Sequence, residues 1–241
     1  MKRVITIIVV AISLMVCVCC TKPEIINPLD KDRIEILRIL NPLITYHPDE
    51  QFDDGYPLPL EAIIKTTANA YVLAEIIKPL PDRVYFLYSS SGEDGLADIL
   101  SKQGKSNMEI ECIEYQIRIL VILYQGDTPA GLLKLNEELK INIGQNINIS
   151  LLKRMEANCP DMKSGLRIFI PLMIAPEKGN CYNYAFSPRG LYYVVDEKYI
   201  LSAVSWPGEP SDFDGITVES FKDKIRTIRN SPSRYDYKVK N

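Results

Sequence analysis

Residues 117–171 constrain the fold of this chain more than any other stretch, because strand and helix signals follow one another there closely. Ile117–Leu123 is almost entirely β-branched and aliphatic, and this composition predicts a strand. Gly126 and Asp127 predict a turn. Thr128, followed by proline, predicts a helix N-terminus, since a hydroxyl side chain caps a helix whose first residue needs no N–H.

The second half of the stretch predicts another helix and a returning strand. Ser150 is a second capping residue, placed before the apolar positions of a helix over 151–155. Asn158 and Pro160 predict the end of that helix, and alternating apolar residues over 166–170 predict a strand. The predicted order over the whole stretch is strand, helix, helix, strand.

This order and its turn motifs resemble the LysM module, a small βααβ carbohydrate-binding domain. Four short motifs carry the resemblance, and they are Gly126-Asp127-Thr128, Ile149-Ser150-Leu151, Asn158 with Pro160, and Gly165 with Ile168, Ile170 and Pro171. The sequence departs from the family pattern in three places, namely Val121 where tyrosine is frequent, Cys159 inside the Asn-Pro turn, and an insertion over Lys140–Asn148. The alternative interpretation is an ordinary α+β core that contains Gly-Asp-Thr.

The resemblance implies a shallow groove between two loops that binds peptidoglycan or a related N-acetylglucosamine glycan. Backbone groups held in such loops can bond an acetamido group, while small apolar side chains accept its methyl. By position, the glycan-binding residues would be Gly126, Asp127, Thr128, Pro129, Asn158, Pro160, Asp161 and Met162, with Cys159 beside them. The structural alternative is that Thr128 and Asn158 only cap helices.

The N-terminus indicates export. Two basic residues precede an apolar run over Val4–Val16 of secretory-signal length, and cysteines close it. Either Cys17 or Cys20 could be the acylated cysteine of a lipoprotein signal, although neither site matches the lipobox fully. A plain cleaved signal and an uncleaved anchor are the alternatives. All three place the chain from Thr21 onward outside the cytoplasm. The leading prediction is a lipid-anchored protein at the cell membrane or outer membrane, facing the periplasm or the exterior.

Around the LysM-like module, the sequence predicts two flanking regions in an α+β protein. Residues 1–20 form the signal, 21–115 an N-terminal α+β region, 116–172 the module, and 173–241 a small C-terminal α/β region. The N-terminal region is predicted to contain a short amphipathic helix over Lys31–Leu40 and a longer one over Leu60–Lys78. The apolar face of the shorter helix is predicted to comprise Ile34, Leu37 and Ile39 or Leu40. The C-terminal region is predicted to contain a helix to about Ile228, capped by Thr217.

Charge and cysteine usage narrow the functional classes. The formal net charge is −3, and loss of Lys2 and Arg3 with the signal would leave 26 basic and 31 acidic residues. A mildly acidic chain without a basic run is a poor candidate for binding nucleic acid or an anionic membrane. A single histidine, and no CxxC pair beyond the predicted signal, argue against a zinc site, and no metal or cofactor is predicted. Cys159 and Cys181 could form a disulfide in an oxidising compartment.

The sequence favours a non-catalytic protein. Cys181 is the one serious nucleophile candidate, but no histidine follows it, and His47 is far upstream in an acidic loop. The leading prediction is therefore glycan binding at the cell envelope. Two alternatives stay open, which are an envelope scaffold that docks a protein partner and has lost sugar binding, and a hydrolase or transferase that uses Cys181.

Overall fold

The computed structural model describes residues 28–41, 44–45, 59–88, 107–126, 141–152, 162–174, 181–184, 190–205 and 213–232. The helices are α1 (Lys31–Leu40), α2 (Leu60–Ala62), which continues as a π-helical turn (Ile63–Thr67), and α3 (Val218–Asn230). The strands are β1 (Ile44–Thr45), β2 (Ala70–Tyr88), β3 (Asn107–Gln125), β4 (Asn146–Leu152), β5 (Arg167–Ile174), β6 (Cys181–Tyr184), β7 (Tyr192–Val195), β8 (Tyr199–Ser202) and β9 (Val204–Ser205). None of the described helices is long and apolar enough to cross a membrane.

Seven strands form one sheet in the order β2-β3-β4-β6-β5-β7-β8. All neighbouring strands in it are antiparallel except β4 and β6, which are parallel. The first half of β2 also pairs with β5, with Ala70 opposite Leu172 and Glu75 opposite Arg167. Strands β2, β3, β4, β6 and β5 therefore close into a ring, and β7 and β8 extend the sheet from β5.

The inner core fills this ring. Alternate residues along each strand point to the same side of a sheet, and the inward positions here are almost all aliphatic. Four strands of the ring, β2, β3, β4 and β5, supply most of these buried residues. They are Ala70, Val72, Ala74 and Ile76 of β2, Ile113, Tyr115, Ile117 and Ile119 of β3, Ile147, Ile149 and Leu151 of β4, and Ile168, Ile170 and Leu172 of β5.

An outer core lies on the other side of β2 and β5, under helix α3. Thr217 caps this helix by accepting from the Ser220 backbone N–H at 3.1 Å. Phe221 is fully buried, with its ring centroid 4.9 Å from that of Phe169 and 4.7 Å from that of Tyr192. Ile225, one turn further along the helix, is also fully buried. The first part of β2, over Tyr71–Leu73, is thus buried on both sides, by the inner core and by the outer core.

The π-helical turn holds the C-terminal end of α3. Lys65 is buried there, and its ammonium donates to the backbone carbonyls of Arg229, at 2.7 Å, and Ser231. In return, Arg229 Nη1 donates to the Ile64 carbonyl at 3.0 Å. Burial, and secondly the Arg229 charge, lower the pKa of Lys65. The Lys65 amine therefore caps the C-terminal carbonyls of α3.

The βααβ prediction for 116–172 is wrong. Ile117–Leu123 does lie in a strand, but Ser150 caps no helix, since it lies in β4 and its hydroxyl donates to Glu114 Oε1 at 3.2 Å. Leu151 is buried in the inner core. The apolar residues of this segment therefore alternate along a strand, and the architecture is a largely antiparallel sheet with few helices. The second part of the predicted helix, and the helix predicted from Thr128, lie outside the described residues.

The prediction of one long helix over Leu60–Lys78 is also wrong. The helical part ends at Thr67, and β2 begins at Ala70. A run that is apolar on both sides of a buried strand has no clear alternation, so it cannot be distinguished from a buried helix by periodicity. The helix predicted over Lys31–Leu40 and the helix capped by Thr217 are both confirmed.

A two-stranded ribbon extends beyond the ring. β4 pairs with β3 only from Cys112 onward, while β2 and β3 remain paired as far as Tyr88 and Asn107. Pro79 and Pro81 lie just before the ribbon, where β2 pairs with β3 but no longer with β5, and a strand edge tolerates residues that donate no hydrogen bond. Within the described residues, Val84–Tyr88 of β2 and their partners on β3 pair only with each other.

Candidate functional site

Helix α1 is short and depends on the rest of the molecule. Asp30 caps it by accepting from the Arg33 backbone N–H at 2.8 Å, and Asn41 ends it. A helix of ten residues is marginal in water on its own. Leu37 provides the main apolar anchor, since it is buried in the inner core.

Both arginines of α1 are bound to the body of the protein. Arg38 Nη2 donates to Asp214 Oδ2 at 2.5 Å, and Arg38 Nη1 donates to the Ser202 carbonyl. Asp214 also accepts from the Ser202 backbone N–H at 2.6 Å, so that one carboxylate joins α1 to β8. A second ion pair, Arg33 to Asp196 at 2.9 Å, is about half exposed. These contacts fix the rotation of α1 about its axis.

Gly215 allows the chain before α1 to approach closely. The Leu29 N–H donates to the Gly215 carbonyl at 2.8 Å. A Cβ on Gly215 would lie 2.8 Å from Ile34 Cδ1 and 3.1 Å from Leu29 Cβ, and the φ angle of this residue is +78°. Both the backbone conformation and the contact therefore favour glycine.

The outward side of α1 carries apolar residues. Ile36, Ile39 and Leu40 are 53%, 80% and 77% exposed. Residues three and four apart share one face of a helix, so these side chains form a single patch, which we call the α1 patch. Val84, on β2, and Ile143, before β4, are the other large exposed apolar side chains among the described residues. Single exposed apolar residues are common, whereas a patch on a rotationally fixed helix indicates a contact surface.

Two acidic residues continue the α1 patch toward the helix N-terminus. Asp32 lies one turn before Ile36, and Glu35 lies one turn before Ile39. Both are exposed, and within the described residues neither carboxylate is in an ion pair. The outward face of α1 is therefore acidic in its first half and apolar in its second half.

Two of the predicted glycan-binding residues, Gly126 and Met162, are described in the structure, and they do not lie together in one groove. Gly126 ends β3, and its N–H donates to the Asn69 carbonyl at 2.9 Å, at the start of the β2–β5 pairing. Met162 is buried in the inner core, just before a turn at which the Gly165 N–H donates to Ile76. Six residues of strand separate these two positions, roughly 20 Å. Met162 therefore serves packing.

The other predicted glycan-binding residues lie outside the described residues, and glycan binding by them stays a prediction. These residues are Asp127, Thr128, Pro129, Asn158, Pro160 and Asp161, as is the neighbouring Cys159. The predicted lipidation sites Cys17 and Cys20 also lie outside.

Among the cysteines, the structure describes the side chain of Cys112, and that thiol is not activated. The backbone of Cys181 lies in β6, opposite Asn148 of β4, while His47 lies outside the described residues. Cys112 is buried on β3, and burial, with a smaller contribution from the Glu114 carboxylate, raises the pKa of its thiol to about 11. A thiol with that pKa is protonated at neutral pH and is a weak nucleophile. The described residues include no group of three or more His, Cys, Asp or Glu side chains that could hold a metal ion.

No protein-family model matches the chain, and a search of curated proteins returned no match. The function must therefore be argued from the chain itself.

The exposed apolar side of α1 was missed by sequence reasoning, although a signal for it is present. The sequence predicts Ile39 or Leu40 on the same apolar face as Ile34 and Leu37, whereas both are exposed in the structure. Five of the ten residues of α1 are apolar, at positions 34, 36, 37, 39 and 40, which is more than one buried stripe needs. Two apolar stripes on one short helix predict two contact surfaces, of which the body of the protein covers one.

Proposed function

We propose that this protein is an exported, membrane-tethered protein of the cell envelope that docks a protein partner through the α1 patch, without catalysis. The observation that carries the proposal is the exposure of Ile36, Ile39 and Leu40 on a helix whose orientation is fixed by Arg38 and Asp214. Full burial of such a side chain contributes about 1.5–3 kcal/mol, so a docked state gains free energy that the isolated protein lacks. Of the three interpretations that the sequence leaves open, protein docking has the strongest structural support.

The position of α1 in the chain supports this proposal. If Cys20 is the lipid-bearing residue, the ten residues from there to Asp30 can span at most about 35 Å. This short tether would keep the α1 patch close to the membrane. A tether also raises the effective concentration of partners that are held in the same membrane, so that a small patch can suffice for binding.

The first test is site-specific photocrosslinking in cells that express the full chain. A photoreactive phenylalanine analogue placed at Ile39 should give a discrete adduct with a protein. The same analogue at Ile143, which is 69% exposed and equally apolar, is the matched control and should give none. Absence of an adduct at position 39 in correctly exported protein would overturn the docking proposal.

A second test separates docking from glycan binding. The full chain is sedimented with purified insoluble peptidoglycan, as wild type and as Ile39→Asp. We expect no specific retention of either protein. Specific retention that is unaffected by Ile39→Asp would instead support the glycan-binding prediction and its loops. Membrane fractionation of Cys17→Ser and Cys20→Ser variants tests the tether independently, since loss of the acylated cysteine should release the protein.

A further inference from the structure

We propose that the partner presents an amphipathic helix with lysine or arginine beside its apolar stripe. This inference rests on the proposed docking function and names the chemistry of the partner. It is carried by the arrangement of charge on α1, where both arginines are paired with the body and the carboxylates of Asp32 and Glu35 are exposed.

The outward face of α1 consists of two columns of residues. One column is Asp32, Ile36 and Leu40, and the other is Lys31, Glu35 and Ile39, each with the four-residue spacing that aligns side chains along a helix. Each column contains one carboxylate and ends with exposed apolar side chains, and Lys31 precedes the carboxylate in the second column only. A partner that covers this face must therefore place apolar side chains near Leu40 and positive charge near Asp32.

The arginines of α1 cannot neutralise these carboxylates from their observed positions. Arg33 is paired with Asp196, and Arg38 with Asp214. Lys31 is exposed and lies four residues before Glu35, so it can offset that carboxylate in part, whereas the column of Asp32 contains no basic residue. Positive charge from the partner would complement the acidic half of the outward face of α1. Charge complementarity of this kind contributes to specificity and fixes the register of the two surfaces.

A helix is the form of partner that the spacing favours. Exposed apolar residues at positions i, i+3 and i+4 form a strip about one side chain wide, which suits the packing of another helix at an axial distance of about 8–10 Å. A second copy of this chain fits less well, because parallel pairing of two α1 faces would bring the four carboxylates together. An anionic membrane surface is disfavoured for the same electrostatic reason.

The test uses the full chain in zwitterionic lipid nanodiscs and two synthetic helical peptides of about 20 residues, long enough for stable helix formation. One peptide combines leucine with lysine. The other has the same leucine positions with glutamate in place of lysine. Fluorescence anisotropy, corrected with empty nanodiscs, should show that the lysine peptide binds at least about tenfold more tightly than the glutamate peptide.

Two variants of equal charge determine whether the α1 patch is the site. Ile39→Asp should weaken binding of the lysine peptide by about tenfold or more, whereas Ile143→Asp should leave it unchanged. The double variant Asp32→Asn with Glu35→Gln should reduce the preference for lysine and the salt dependence of binding. Equal binding by the Ile39→Asp and Ile143→Asp proteins would overturn the assignment of the site.

The remaining outcomes distinguish this inference from the docking function. A crosslink at Ile39 without any preference between the two peptides would leave docking in place and overturn the basic-helix partner. Concentration-dependent dimers in sedimentation experiments, abolished by Ile39→Asp but not by Ile143→Asp, would identify a second copy of the chain as the occupant and would also overturn it.

Discussion

Cys112 shows how a buried position determines the chemistry of a residue. Its thiol lies on β3 beside Glu114, and both side chains are buried. The polar neighbour does not activate the sulfur, because a nearby negative charge and burial both disfavour the thiolate. The consequence is a cysteine whose reactivity reports on unfolding.

The first prediction concerns the pH dependence of stability that Cys112 causes. The folded-state pKa, about 11, is above the ordinary value of 9.0. The stabilising contribution is therefore fully present below pH 9 and is lost as the pH rises through 11, because only the unfolded chain releases the proton in that interval. The loss should be up to about 3 kcal/mol. Urea unfolding across this interval should show a steeper decline for the wild type than for Cys112→Ala, and parallel curves would contradict the prediction.

The second prediction concerns the close approach at Gly215. Gly215→Ala should lower the free energy of unfolding by about 2 kcal/mol or more, since it combines an unfavourable backbone conformation with a contact against Ile34 and Leu29. Gly144→Ala is the control, because its φ is +82° and nothing lies within 4 Å of the added Cβ. It should cost only about 1 kcal/mol. Equal losses in chemical denaturation would show that the contact with Ile34 contributes nothing.

At the level of elements, α1 is held by two ion pairs of different burial, and this difference gives the third prediction. Asp214→Ala should cost about 1–3 kcal/mol and increase hydrogen exchange in α1, because it leaves the largely buried Arg38 without its carboxylate. Asp196→Ala removes the half-exposed pair with Arg33 and should cost less than about 1 kcal/mol. A larger effect for Asp196→Ala would reverse the assignment of the main attachment.

The fourth prediction concerns the attachment of α3. Phe221→Ala should destabilise the protein by about 3–5 kcal/mol, since the ring is fully buried between Phe169 and Tyr192. Asp223→Ala, on the exposed side of the same helix, should change stability by less than about 0.5 kcal/mol. The midpoint of thermal or urea unfolding measures both variants, and a loss below about 1 kcal/mol for Phe221→Ala would show that α3 is not needed for the outer core.

The elements with local signals were predictable from the sequence, and those defined by distant partners were not. α1 and α3 have capping residues, Asp30 and Thr217, next to amphipathic stretches, and both helices were predicted. Ser150 gives the same capping signal, yet in the structure it bonds to Glu114 of a neighbouring strand. A hydroxyl before an apolar run does not reveal which partner it will have. The contact surface on α1 was missed because exposure of Leu40 depends on how Arg38 fixes the helix.

At the scale of the whole molecule, β2 connects the two cores, and this gives the fifth prediction. Between Ala70 and Glu75 this strand pairs with both β3 and β5, and it is buried on both sides over Tyr71–Leu73. Its amides there should be among the slowest to exchange with deuterium, close to the limit set by global unfolding. The amides of Val84–Tyr88, in the ribbon, should exchange much faster. Comparable protection of the two segments would show that the ribbon has a further partner.

The attachment of α1 also has a consequence for the time course of folding. Arg38 and Asp214 are 176 residues apart in sequence, and the Leu29–Gly215 bond spans a similar length. A chain emerging from the ribosome or a translocation channel presents its N-terminal part first, so α1 is produced well before Asp214 and Gly215, which attach it to the body. Until then, Leu37 and the α1 patch are exposed together. Newly made protein is therefore most prone to self-association before Asp214 and Gly215 emerge, and a chaperone that binds short apolar helices would act in that interval.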